Sequence, residues 1–248
     1  MQAGNIKMGR HGTIAGRKES QDKRRAAMFT KYARVITVAA RDGGDPEYNI
    51  ALKHAIDKAK GINMPNANID RAIKKGTGEI AGEIYEEMVF EGYGPSGVAF
   101  VVETLTDNKN RTAASVRSSF DKYGGNLGTP GCVSYMFNRK GVIVIEKTDE
   151  IDEDALMEAA LEAGMEDLQE YDDSFEILTD PNDFNDVKDA IVAAGYEPVE
   201  ADIENIPNME SEPKDPEDIK NLKKMFEVLE DNDDVQKVYH NSSVSLED

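Results

Sequence analysis

Before residue 84 the apolar residues recur at helical spacing only, and from Tyr85 onward short segments of period two appear. That change confines the chain to an α+β plan, with helices segregated first and sheets afterwards. Met28, Phe29, Tyr32, Val35, Ile36 and Ala39 recur at three- and four-residue steps and predict a first amphipathic helix. It should stop at Gly43-Gly44, because glycine takes the left-handed conformation at a helix end cheaply. Asp45-Pro46-Glu47 or Asn49 then caps a second helix reaching roughly Lys60. Met64-Pro65-Asn66 opens a third, whose Ile69, Ala72 and Ile73 face inward and whose stop is Gly76. Three helices with short connections predict a small bundle.

Beyond Tyr85, Met88–Phe90 and Val98–Val102 flank Gly94-Pro95-Ser96-Gly97 and read as a hairpin. A helix through Tyr123 follows, capped by Asp107, Asn108 or Asn110. Cys132–Phe137 alternates as a further strand, and Gly141–Glu146 is an apolar strand opening a new unit. An internal repeat organises that unit. Ala163-Gly164-Met165-Glu166 and Ala194-Gly195-Tyr196-Glu197 each end a helix and start a strand. Residues 141 to about 201 therefore read strand–helix–strand twice, the ferredoxin-like plan. Asp202–Pro216, with three prolines among polar residues, reads as a linker. The helix with the stripe Ile219, Leu222, Met225, Phe226 and Leu229, and the strand Val235–Tyr239, cannot bury their own faces. The middle unit lacks a second covering helix, so this pair should complete it. Three domains are expected: a basic helical one (8–83), an α/β one (84–140 plus 207–248) and an inserted, acidic, ferredoxin-like one (141–206), arranged around a cleft. Met1–Lys7 precede a second candidate start at Met8 and bear no part in that expectation.

Charge is distributed just as unevenly. Residues 1–80 hold 16 Lys+Arg and 8 Asp+Glu, whereas residues 141–248 hold 7 and 34, within a formal net charge of −20. Two readings are open: a surface for a polyanion at one end, or an acidic solubilising tail beside an ordinary basic helix. The cations that would contact nucleic acid are Arg10, Arg17, Lys18, Lys23, Arg24, Arg25, Lys31, Arg34 and Arg41, joined by Arg71, Lys74 and Lys75 in the third helix. For the last three a second explanation is the favourable placement of cations near a helix C-terminus. Contacts of this kind grip phosphate, depend on salt and carry no sequence information. Arg111, in the first turn of its helix, opposes the helix dipole unless an anion or carboxylate lies near. Lys109, Asn110 and Arg111 are accordingly a candidate phosphate site.

Other chemistries find little support. Gly92, Gly94 and Gly97 match GxGxxG formally, but a strand follows where a dinucleotide fold needs a helix. No P-loop, HExxH or nucleophile-elbow spacing occurs. The Asp107/Asn108/Asn110/Arg111 group has no paired base or nucleophile, so an enzyme is not expected. His11, His54 and His240 are scattered, and neither metal nor cofactor is expected. One cysteine, Cys132, suits a reducing cytoplasm, and no apolar run approaches the ~20 residues of a membrane helix.

The blocks FTKYARVITVAARDGGDPEYN, INMPNANIDRAIKKGTGE, YEEMVFEGYGPSGVAFVVETLTDNKNRTAASVR and KYGGNLGTPGCVSYMFNRKG span about residues 20–141. Together they resemble the YebC/PmpR family. The resemblance implies a helical domain followed by two α/β domains around a cleft, and a cytoplasmic nucleic-acid-binding regulator. The family is described as probable DNA-binding transcriptional regulators. The alternative is a translation factor that binds ribosomal RNA on the ribosome and relieves stalling at proline-rich stretches, as with mitochondrial translational activators. Where members commonly begin Gly-His-Ser-Lys-Trp, this chain has Met8-Gly9-Arg10-His11-Gly12-Thr13-Ile14 and no tryptophan; Arg17, Lys18, Lys23 and Arg24 are retained. The acidic C-terminal surface is a candidate for binding a basic protein, and clustered carboxylates there confine nucleic acid to the basic side.

Overall fold

The structure, a computed structural model, describes residues 25–149 and 151–247. Contacts divide these into two compact units, residues 25–134 with 210–247, and residues 135–209.

The first unit opens with three helices, α1 (Arg25–Ala39), α2 (Ile50–Gly61) and α3 (Asn66–Gly76). After α1 a single 3-10 turn, Ala40–Asp42, ends at Gly43, whose φ of 142° only glycine adopts freely. Asn49 is the residue that caps α2: its side chain accepts from the Leu52 amide and donates to the Ala39 and Gly43 carbonyls, so it also ties the turn shut. Ile36, Leu52, Ala55, Ile69 and Ala72 form the buried centre of this segment. Close packing of α1 on α3 depends on Gly76. A Cβ there would fall 2.6 Å from Ala40 Cβ and closer still to the Thr37 carbonyl oxygen. Since backbone cannot yield as a side-chain tip can, Gly76→Ala should destabilise the first unit by about 1–3 kcal/mol, measured by urea unfolding; an unchanged midpoint would refute the close approach.

The rest of the unit is a four-stranded antiparallel sheet of β1 (Glu86–Tyr93), β2 (Ala99–Thr106), the two-residue β3 (Asn126–Leu127) and β8 (Val235–His240), in the order β3-β1-β2-β8. Helices α4 (Lys109–Lys122) and α7 (Pro216–Glu230) cover it. Phe100, Val102, Phe120, Leu222, Met225 and Val238 fill the space between. The C-terminal helix and strand thus bury their apolar faces against β2 and α4, about 120 residues upstream.

In the second unit β4 (Phe137–Glu146), α5 (Glu153–Glu162), β5 (Met165–Glu170), β6 (Ser174–Thr179), α6 (Phe184–Ala193) and β7 (Pro198–Pro207) follow one another as strand–helix–strand twice. The sheet order is β5-β6-β4-β7, antiparallel throughout. Gly164 and Gly195 close the two helices at φ 106° and 94°. Ile143, Ile145, Leu156, Phe175, Ile177, Val187 and Ile191 make its core.

Two local expectations change. No strand covers Cys132–Phe137: residues 128–134 form a strap, a 3-10 turn spans Ser134–Met136, and β4 begins at Phe137, four residues before Gly141. The strap's amides are engaged elsewhere. Gly131 N–H donates to Glu91 Oε1, and the Val133 and Ser134 amides donate to Oε2, at 2.8–2.9 Å. A ladder cannot use donors already given away. The expected linker is also shorter, because β7 runs to Pro207, paired with Phe137; proline is tolerated at such an edge.

Candidate nucleic-acid interface

The basic residues of α1 divide into two groups by their partners. Lys31 and Arg34 turn inward. Lys31 Nζ donates to the Glu230 carbonyl at 2.7 Å, at the C-terminus of α7, where unpaired carbonyls carry partial negative charge. Arg34 donates to the Leu105 carbonyl at 2.9 Å and to Asp234 Oδ1 at 2.6 Å, with its guanidinium 5.3 Å from the centre of the Tyr85 ring. These two cations seat α1 on the sheet of the first unit.

Asp234 is the hub of that seat. Its side chain is buried, and besides Arg34 it accepts from Arg111 Nε and Nη2 and from the Thr112 hydroxyl. Burial pushes its carboxyl up, but the hydrogen bonds from Arg34, Thr112 and Arg111 outweigh that and hold it below the ordinary value of 3.8. Arg111 also reaches Asp107 at 2.7 Å, and its pKa is raised by its bonds to Asp234 and Asp107. The carboxylate condition that a cation in a first helical turn requires is met from within the chain. Asn108 caps α4 by accepting from the Arg111 amide, Lys109 pairs with Glu86 at 2.5 Å, and Asn110 is exposed. The adjoining cleft, about 440 Å³, is lined by Arg34 and Arg111 but also by Glu83, Asp107, Asp233 and Asp234. Four carboxylates against two guanidiniums make it unattractive to a phosphate.

The outward cations lie at the other end of α1. The 3-10 turn that carries Arg41 packs on α3 next to Gly76, so Arg41 comes beside the last turns of α3. Arg71 and Lys74, three residues apart, share one face there. Arg41, Arg71 and Lys74 are exposed and form no ion pair among the described residues, whereas Lys75 pairs with Glu83 at 3.1 Å. Lys53 and Lys60 are further cations of the helical segment, beyond the rim formed by Arg41, Arg71 and Lys74. They lie seven residues apart on α2, outside its buried stripe of Leu52, Ala55, Ile56 and Ala59, and both are exposed. Their spacing on α2, off its apolar stripe, is the sequence signal that marks them as outward. Arg25 opens α1; Arg10, Arg17, Lys18, Lys23 and Arg24 lie outside the described residues.

The charge balance is opposite in the second unit, where residues 135–209 carry 4 Lys+Arg and 22 Asp+Glu. Among the described residues no cluster of His, Cys, Asp and Glu could hold a metal ion, and no helix is long and apolar enough to cross a membrane.

A cation-rimmed helical segment joined to an α/β sheet, with a separate acidic ferredoxin-like unit, defines the architectural class. Within it the chain belongs to the TACO1/YebC family: residues 10–79 match the family's N-terminal domain and residues 85–242 its second and third domains. It is 56% identical, over 96% of its length and 100% of the relative, to a probable transcriptional regulatory protein of Clostridioides difficile. A protein of the same description from Clostridium novyi is 55% identical, over 92% of this chain and 93% of that one. A crystal structure of a conserved hypothetical protein from Aquifex aeolicus superposes with a TM-score of 0.80 at 44% identity, covering 90% of this chain and 92% of the other.

Proposed function

We propose that this chain is a cytoplasmic regulator of transcription that binds DNA through the cation rim of its helical segment. The observation that carries the reading is the exposure of Arg41, Arg71 and Lys74 without carboxylate partners among the described residues, in a chain whose acidic groups are concentrated elsewhere. Such cations neutralise phosphates and release counterions. The names of the relatives, probable transcriptional regulatory proteins, support the level at which the binding acts. The further cations in this reading are Arg10, Arg17, Lys18, Lys23, Arg24 and Arg25, whereas Lys31 and Arg34 serve the seat of α1. A second reading, binding of ribosomal RNA as a translation factor, is favoured by the exposed ring of Tyr48, since unpaired bases are common in structured RNA.

The test is a salt titration of the full chain with duplex DNA and with ribosomal RNA fragments, followed by the Arg41→Ala/Arg71→Ala/Lys74→Ala variant. Each lost phosphate contact should lower the slope of log affinity against log salt by about one. An unchanged slope removes the rim from the interface. Crosslinking in cells with sequencing of bound DNA and RNA then separates the readings: discrete promoter peaks support transcription, and enriched ribosomal RNA supports translation.

A further inference from the structure

The turn between α1 and α2 carries Tyr48, at 88% the most exposed large apolar side chain among the described residues, and Ile50, 70% accessible, opens α2 two residues on. The backbone beneath them is braced. Asp45 accepts from the Glu47 amide through its side chain and from the Tyr48 amide through its carbonyl. Asn49, between the two apolar residues, makes three hydrogen bonds that bind the turn to Ala39, Gly43 and Leu52. The knot at Asn49 places Tyr48 and Ile50 next to the turn that presents Arg41.

We propose that Tyr48, supported by Ile50, stacks on an unpaired base of the bound nucleic acid while Arg41 contacts the adjoining phosphate. This rests on the reading that the helical rim binds nucleic acid, and it adds the chemical class of the target: a strand with at least one base out of the duplex. A tyrosine on a preformed turn offers its ring without losing further backbone freedom, and every base presents a face to it. Asp42 and Glu47, exposed on either side, repel phosphate from the tip and leave the uncharged base face as the group it takes. The shared ligand is an unpaired base, whether from an RNA loop or bulge or from melted DNA.

The experiment titrates the full chain with four labelled oligonucleotides: RNA and DNA hairpins, each fully paired or carrying a bulged 2-aminopurine. The wild type should bind a bulged form roughly tenfold more tightly than its paired counterpart and quench the bulged base. Tyr48→Ala should remove that preference and the quenching, and Tyr48→Phe should keep both. Arg71→Ala should weaken all bound forms alike and leave the preference. Preference confined to the RNA pair or the DNA pair identifies the source of the base. Equal affinity for bulged and paired forms, or a preference that survives Tyr48→Ala, overturns the proposal and leaves the tip as a protein-docking patch. Blank titrations in all four arms would sink the nucleic-acid reading itself, and the stacking with it.

Discussion

Replacing Asp234 with alanine should cost the first unit about 3–5 kcal/mol, the range for removing one partner of a buried ion pair. The variant leaves Arg34, whose side chain is only 12% exposed, with a guanidinium that has lost its counter-charge, and it leaves the Thr112 hydroxyl without its acceptor. Arg111 loses less, being half exposed and still joined to Asp107. Urea unfolding by far-ultraviolet circular dichroism measures the effect, and a loss below ~1 kcal/mol would show that the hub is not a strong constraint. Asp234→Asn keeps the shape but cannot balance either cation, so its deficit should fall between those of the wild type and the alanine variant. Acid provides an independent check. The carboxyl is depressed in the folded state, so its contribution is fully present above the unfolded value near 4 and is lost as pH falls through the lower folded one. Asp234→Ala should therefore flatten the acid limb of the stability curve.

Glu91 carries the second large expectation. It is a buried carboxylate whose two oxygens together accept three backbone amides of the strap. Burial raises its carboxyl, but the bonds from Gly131, Val133 and Ser134 hold it below the ordinary 4.5. Glu91→Gln turns one acceptor into a donor facing another donor, at a cost of about 2–4 kcal/mol from one or two stranded buried groups. Hydrogen exchange should rise at the amides of residues 131–134 before it rises in β2. Protection that persists there in the variant would rule out the side chain as their acceptor. The sign with pH is the same as for Asp234: support is present above about pH 4.5 and lost on acidification through the folded value.

Much of the local structure was legible because its causes are local. Asn49 and Gly43 bound their helices through capping and backbone freedom. The repeated Ala-Gly pairs marked the second unit because each helix end needs the same left-handed residue. What escaped was settled by distant partners. The alternation Val133, Tyr135, Phe137 is sound strand evidence, yet a carboxylate some 40 residues upstream holds the amides a strand would need. Arg34 and Arg111 meet at Asp234 from 200 and 123 residues away, which no spacing rule reaches. For Arg111 the physical requirement was readable, an anion close to a cation in a first helical turn; its identity was not. Composition could not tell Lys31 and Arg34, which seat α1, from Arg41 on the turn after it, which is exposed, because charge alone does not report what a side chain touches.

The pairing of β2 with β8 joins Phe100 to His240. On the ribosome this imposes a schedule. The second unit's strands and helices emerge as one uninterrupted stretch and can fold as soon as β7 clears the exit tunnel. The first sheet must wait with β2 bare along one edge until β8 arrives. A premature stop between residue 209 and β8 would thus strand an apolar, donor-rich strand edge in a chain whose second unit is already complete, a product prone to self-association and suited to rapid clearance by proteases.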